Sequence, residues 1–285
     1  MSAEEYGEVS ADPDPGRAFL TALCDPQRRP ISARTAVIVA HPDDESIGCG
    51  AQLSRFSDVG VIHVTDGAPP NGVDARRLGF AGPAEYAQAR RGELETAMAL
   101  VGLTPEQLLS LNWPDQEASA NLPAIARQLA RILAGTDVVL THAFEGGHPD
   151  HDSTALAVHA ACALLGRDGH APAIVEMPLY RTGPEGMAAQ SFAPVEDGAE
   201  CLVQLDWEQQ RLKQAMYAAH ASQHDVLLLF GVDTERFRAA PSYDFSQPPN
   251  GGLVYYDGQP WSMTSERWQG LAAGALAELG MGPVL

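Results

Sequence analysis

Basic residues are scarce in this sequence: 18 Lys and Arg stand against 37 Asp and Glu, a formal net charge of −19 at pH 7. That balance argues against a phosphate-neutralising nucleic-acid surface and against a polybasic face for anionic lipid. It is read first as a solubility device. Cysteine is also sparse. Cys24, Cys49, Cys162 and Cys201 form no C-x-x-C pair, so neither a disulfide framework nor a structural zinc site is expected, and reduced thiols in a cytoplasmic setting are the default. No apolar run approaches the ~18 residues of a membrane-spanning helix. The acidic, proline-containing start, residues 1–16, lacks the basic and apolar regions of a secretory leader and reads as a mobile tail. Also missing is the G-x-G-x-x-G of a dinucleotide-binding module. The turn after the first apolar run reads His41-Pro42-Asp43-Asp44-Glu45-Ser46, and Gly48-Cys49-Gly50 comes too late. There is no internal repeat.

The sequence does contain an alternation of strand and helix patterns. Solid apolar runs at 36–40, 59–64, 108–112, 137–142, 173–178 and 202–205 read as strands. Helical spacing marks 44–56, 84–100, 122–134, 153–165 and 207–220, while 69–82 and 184–200 read as irregular. From residue 233 regular patterns fade until a helix at 266–279. Unbroken apolar strands alternating with helices predict a Rossmann-like α/β sandwich: a mostly parallel sheet, helices on both faces, and an irregular C-terminal region. The loops following His41, Asp66, Asp115 and His148 would then share the carboxyl edge of the sheet, where ligands bind in such folds.

Two clusters stand in those loops. The first is His41-Pro42-Asp43-Asp44-Glu45; the second is His148-Pro149-Asp150-His151-Asp152. Each proline biases the preceding histidine toward extended backbone, and a helix follows each cluster. Two histidines and one carboxylate with an open position is the layout of a catalytic zinc site. Adjacent side chains diverge, so of Asp43 and Asp44 one can hold a metal while the other reaches a bound water. A non-haem iron oxygenase uses the same donors, but usually on a double-sheet barrel whose alternating strands are missing here. His63 reads as a core histidine and His142 as a strand-end residue near the site. His159 and His170 read as helix surface and loop, and His220 as a helix-end residue.

These residues resemble a family. Ala40-His41-Pro42-Asp43-Asp44-Glu45, with His148-Pro149-Asp150-His151 downstream, is similar to the signature of the LmbE-like, or PIG-L-type, zinc-dependent N-acetylglucosamine deacetylases. The resemblance covers residues 34–180, and Arg90-Arg91-Gly92-Glu93-Leu94 resembles the family's helix with a substrate-binding arginine. It implies a single deacetylase domain over 17–285, with a core at 34–230 and a variable, specificity-determining region at 231–285. It implies one Zn2+ per chain, with Fe2+ as another candidate, held by His41, Asp44 and His151. Asp43 would be the general base. His148, in its protonated form, would stabilise the oxyanion and be oriented by Asp150. Arg90, Asp115 and Asp66 would bind substrate, a small-molecule glycoconjugate, with 68–82 and 232–262 as walls. A bell-shaped pH profile with His148 on its basic limb is expected. An amidase acting on a non-sugar amide is the alternative hydrolase, and the sequence leaves room for a homo-oligomer.

Overall fold

The computed structural model of the chain describes residues 14–167, 169–194 and 199–285. Most of the expected tail, residues 1–13, lies outside the described residues. Its end is not tail: helix α1 (Pro15–Leu23) starts there, with the Asp14 carboxylate accepting from the Gly16 N–H at 2.9 Å.

The chain then alternates through β1 (Ile31–Val39), α2 (Asp44–Cys49), β2 (Phe56–Thr65), α3 (Val73–Arg77), α4 (Pro83–Ala99) and β3 (Leu108–Trp113). It continues through α5 (Leu122–Ile132), β4 (Val138–His142), α6 (Pro149–Arg167) and β5 (Ala173–Met177). A hairpin, β6 (Tyr180–Gly183) and β7 (Gly186–Ala189), precedes β8 (Glu200–Gln204), α7 (Trp207–Ala219), α8 (His224–Leu227), β9 (Thr234–Ala239) and α9 (Ser265–Leu279). Seven strands form the main sheet in the order β3-β2-β1-β4-β5-β9-β8. The first five are parallel; β9 and β8 run antiparallel at one side.

Both faces of the sheet are buried, which explains the solid apolar runs. Val37 and Val39 of β1 face a core shared with α1, α2, α4 and α7, while Ala36 and Ile38 face one built by α5, α6 and α9. The expected mostly parallel α/β architecture is therefore present.

Three features depart from expectation. The helix expected at 44–56 stops at Cys49, and the loop at 69–82 carries α3. The region after residue 230 is not appended to a finished core, because β9 lies between β5 and β8 inside the sheet. Its sequence, Thr-Glu-Arg-Phe-Arg-Ala, hides the strand behind charge. The inward charges are paired: Glu235 meets Lys213 at 2.9 Å and Arg238 meets Glu176 at 2.5 Å, all four buried. Finally, Cys24 and Cys201 form a disulfide that ties the end of α1 to β8, correcting the expectation of four reduced thiols; Cys49 and Cys162 are free and buried. Residues 177 positions apart cannot be recognised as partners from spacing alone. No helix among the described residues is long and apolar enough to cross a membrane.

Candidate active site

The first cluster begins where β1 ends. His142, at the end of β4, accepts the Ala40 N–H through Nε2 at 2.9 Å and so fixes the chain as it leaves the sheet. After Pro42 the backbone takes an uncommon conformation at Asp43, φ 145° and ψ −25°. Helix α2 starts at the next residue. The Asp44 carboxylate turns back to accept the His41 N–H at 2.8 Å. Arg90, from α4, closes the loop from outside. Its terminal nitrogens donate to Pro42 O at 2.8 Å and Gly67 O at 2.7 Å, and one lies 3.1 Å from Asp43 Oδ2. Gly67, at φ +69°, is required here, since any side chain would collide with the Arg90 guanidinium. Two Arg90 nitrogens thus donate to the loop and one faces Asp43, while its Nε has no partner among the described residues, and the side chain lines the cavity.

Three side chains converge beyond this loop. His41 Nδ1 lies 3.2 Å from His151 Nε2 and 3.4 Å from Asp44 Oδ2, and His151 Nε2 lies 3.4 Å from Asp44 Oδ1. Donors on a tetrahedral ion with bonds of ~2.0–2.1 Å stand about 3.3 Å apart, close to the separation of the two imidazole nitrogens, each of which faces a different Asp44 oxygen. Groups whose single donor atoms all lie within 4.8 Å of one another include His41 with His148 and His151, and Asp44 with His142 and His151. The other nitrogen of His41, Nε2, faces Asp115 Oδ1 at 3.2 Å, the carboxylate–histidine arrangement that orients a metal-ligating ring. Asp115 was expected to bind substrate; it lines the cavity, but its carboxylate is engaged with His41. His142 stacks on His151 with centroids 4.2 Å apart, and its Nε2 is taken by the backbone, which places it behind the donors.

The electrostatics fit a cation. Burial opposes charge on His41, yet the carboxylates of Asp115, Asp150 and Asp44 outweigh it and push the imidazole well above its usual range. A proton on His41 therefore supplies positive charge where an ion would. Burial also works to raise Asp44, but the adjoining His151 and His142 hold it well below the usual carboxylate range. Burial lowers His151 to about 4, leaving its nitrogen unprotonated and able to coordinate. Neighbouring Asp43 behaves oppositely: burial raises it to about 7 against the pull of Arg90. Adjacent carboxylates with separated pKa values can take separate roles.

The second cluster is the first turn of α6. Gly147 lets the chain pass against Tyr180 O, where a side chain would not fit. His148 Nδ1 accepts the Asp150 N–H at 3.1 Å, and its ring packs on Trp261 with centroids 4.5 Å apart. Burial and the charge of His41 push His148 well below its usual range. That direction disfavours the expected protonated form, and with Nδ1 accepting the Asp150 N–H, the proton of a neutral ring would sit on Nε2. Asp150 does orient it, but through the main chain. The Asp150 carboxylate instead accepts from Gln116 N at 2.6 Å and Ala118 N at 3.2 Å, and lies 3.5 Å from His41 Nε2.

His41, Asp43, Asp44, Arg90, Asp115, His148 and His151 all line one cavity of about 210 Å³. Asp66 does not: its carboxylate caps its own turn by accepting the Ala68 N–H at 2.9 Å, and it borders a separate cavity with His63. Of the expected walls, 68–82 contributes Pro69, Asp74 and Arg77, and 232–262 contributes Trp261. Gln223, Val226, Phe230 and Tyr180 were not anticipated. Tyr180 follows the carboxyl end of β5 and could have been found by the same edge rule that located the other loops. Val226 to Phe230 carries no motif.

Residues 36–162 match the family model described as PIG-L: GlcNAc-PI de-N-acetylase. The chain is 32% identical over 162 residues to 1D-myo-inositol 2-acetamido-2-deoxy-alpha-D-glucopyranoside deacetylase 2 of Catenulispora acidiphila, covering 48% of this chain and 53% of that protein. It is 29% identical over 201 residues to a 1D-myo-inositol 2-acetamido-2-deoxy-alpha-D-glucopyranoside deacetylase of Kineococcus radiotolerans, covering 59% and 54%. The chain thus spans about half the length of these two relatives. Among solved structures, the antimicrobial reagent A40926 pseudoaglycone deacetylase Dbv21 shares the fold, with a TM-score of 0.56 at 21% identity over 73% of this chain and 97% of that one. The matched span, residues 36–162, contains both histidine–aspartate loops, and over it the chain is similar to the PIG-L: GlcNAc-PI de-N-acetylase family.

Proposed function

We propose that this protein is a metal-dependent N-deacetylase that removes the acetyl group from a 2-acetamido sugar within a glycoconjugate, with zinc on His41, Asp44 and His151. The observation that carries the reading is the division between Asp44 and Asp43. One sets an oxygen 3.4 Å from each of two imidazole nitrogens; the other stands beside them on the same cavity wall with its carboxyl raised to about 7. A divalent ion in this position polarises an amide carbonyl and lowers the pKa of a bound water to ~7. Asp43 takes the proton of the attacking water and returns it to the leaving amine. Neutral His148 directs its Nε2–H at the oxygen on which negative charge develops. Asp115 and Asp150 hold His41, and Arg90 holds Asp43.

Support for a sugar substrate comes from the two relatives, whose names describe deacetylases of a 2-acetamido-2-deoxy-glucopyranoside. The cavity, about 210 Å³, is smaller than the ~300 Å³ at which drug-sized pockets begin, so it suits one ring with the rest of the conjugate outside. The test is acetate release from N-acetylglucosamine and its conjugates, run beside elemental analysis of the purified protein. Turnover of N-acetyl amino acids but of no sugar would overturn the sugar assignment. Iron with oxygen uptake and no amide hydrolysis would overturn the deacetylase itself.

A further inference from the structure

Behind Asp43 lies a second polar cluster that the proposed chemistry does not use. Glu45 points away from the cavity, and its Oε2 lies 2.9 Å from Nε2 of His63, on β2. Its Oε1 accepts from Ser46 Oγ at 2.7 Å, and that hydroxyl lies 3.2 Å from Nε2 of His220, which follows α7. All four residues are fully buried. Such a cluster in a core is costly unless satisfied. It has one further contact: Glu45 Oε2 accepts the backbone N–H of Asp43 at 3.2 Å. Asp43 is the residue with φ 145°, a conformation that persists only where its surroundings impose it. Asp44 is anchored separately, by the His41 N–H.

We infer that Glu45, braced by His63 and by Ser46 with His220, is a positioning residue that locks the backbone of Asp43 and so aims the base into the cavity, independently of the metal donors. The inference rests on the proposed role of Asp43. Without the Glu45 acceptor, Asp43 relaxes toward an ordinary conformation and its carboxylate swings off line, while His41, Asp44 and His151 keep their places. Displacements of about 1 Å in a catalytic group cost on the order of 10²-fold in rate.

The test uses the full chain. Glu45→Ala should retain the metal content and KM of the unmodified protein, lose about 10–100-fold in kcat, and exchange the Asp43 amide hydrogen at least about 10-fold faster. Glu45→Gln, whose amide oxygen can still accept, should recover most of both. Wild-type kcat and amide protection in Glu45→Ala would overturn the inference, as would a rate loss that merely follows lost metal. Should Glu45→Ala fail to fold, Ser46→Ala and His220→Gln, which remove the brace, should lower kcat at full metal content; wild-type kcat in both would overturn it equally. If the unmodified protein cleaves no acetamido sugar, the functional reading fails, and amide exchange at Asp43 still decides the positioning claim.

Discussion

The two histidine–aspartate loops look alike in sequence and divide their work differently. In each, the fourth residue joins the close cluster around His41: Asp44 in one, His151 in the other. In each, the fifth residue turns back to its own loop. Glu45 accepts the Asp43 N–H, and Asp152 accepts from Glu145 N at 3.2 Å and Gly146 N at 3.0 Å. The first and third residues trade roles. His41 stands within that cluster and Asp43 lines the cavity, whereas His148 lines the cavity and Asp150 caps the neighbouring loop. The cause is where each helix starts. α2 begins at Asp44, leaving Asp43 ahead of it with an unusual backbone whose N–H is held by Glu45. α6 begins at Pro149, so Asp150 is already helical and its N–H reaches His148. Two residues of helix register separate a carboxylate that lines the cavity from one that caps a neighbouring loop.

The comparison breaks most readily at its shared fourth position. His151→Ala should lose the metal and reduce deacetylation to background, read by elemental analysis and acetate release, and His41→Ala should match it. Full metal occupancy in both variants would reject the triad.

At the third position the loops should diverge. Asp43→Asn should keep its metal and lose ~10²–10⁴-fold in turnover. If that variant is metal-free instead, Asp43 belongs to the donor set and the contrast collapses.

A smaller effect should appear one contact away from the donors. Asp115→Asn weakens the hold on His41 Nε2 and should cost about 10–100-fold in metal affinity, measured by competition with a chelator. Unchanged affinity would return Asp115 to the role of a cavity wall.

At the fifth position of the second loop the consequence is stability. Asp152→Ala leaves two buried N–H groups without their acceptor and should cost about 1–3 kcal/mol in urea unfolding. Undiminished stability would show that the loop is held by other contacts.

The smallest effect is a shift in pH dependence. Asp43 works as a base, so activity is present above its pKa and lost as pH falls through it. Burial sets that pKa to about 7 and Arg90 opposes the rise, so a bound cation moves the acid limb below 7 and Arg90→Gln moves it upward. His148 is neutral across this range and should contribute no basic limb. A basic limb that vanishes in His148→Ala would restore the protonated form expected from sequence.

Much of this was legible in the chain order alone. The apolar runs of β1, β2 and β4 and the helices between them marked a buried parallel sheet, because strands covered on both faces cannot alternate. The same rule put both histidine clusters on one edge. What stayed hidden depended on partners far away in sequence. β9 reads as charged loop until Glu235 finds Lys213 and Arg238 finds Glu176. Asp66 looked equivalent to the other edge residues, yet a local turn consumes its carboxylate. The hold of Arg90 on two backbone carbonyls and on Asp43 left no trace in its spacing.

By itself, then, the sequence determined the alternating α/β layout, the edge on which the site lies, and the residue types able to bind a metal, since periodicity, proline placement and ligand chemistry are local properties. Only the tertiary structure decided that Asp44 sits between two imidazoles while Asp43 faces Arg90, which nitrogen of His148 the Asp150 N–H occupies, and that β9 completes the sheet. Those outcomes follow from the helix start at each loop and from contacts such as Arg90 with Asp43 or Asp115 with His41, between groups that only folding brings within 3.2 Å of each other.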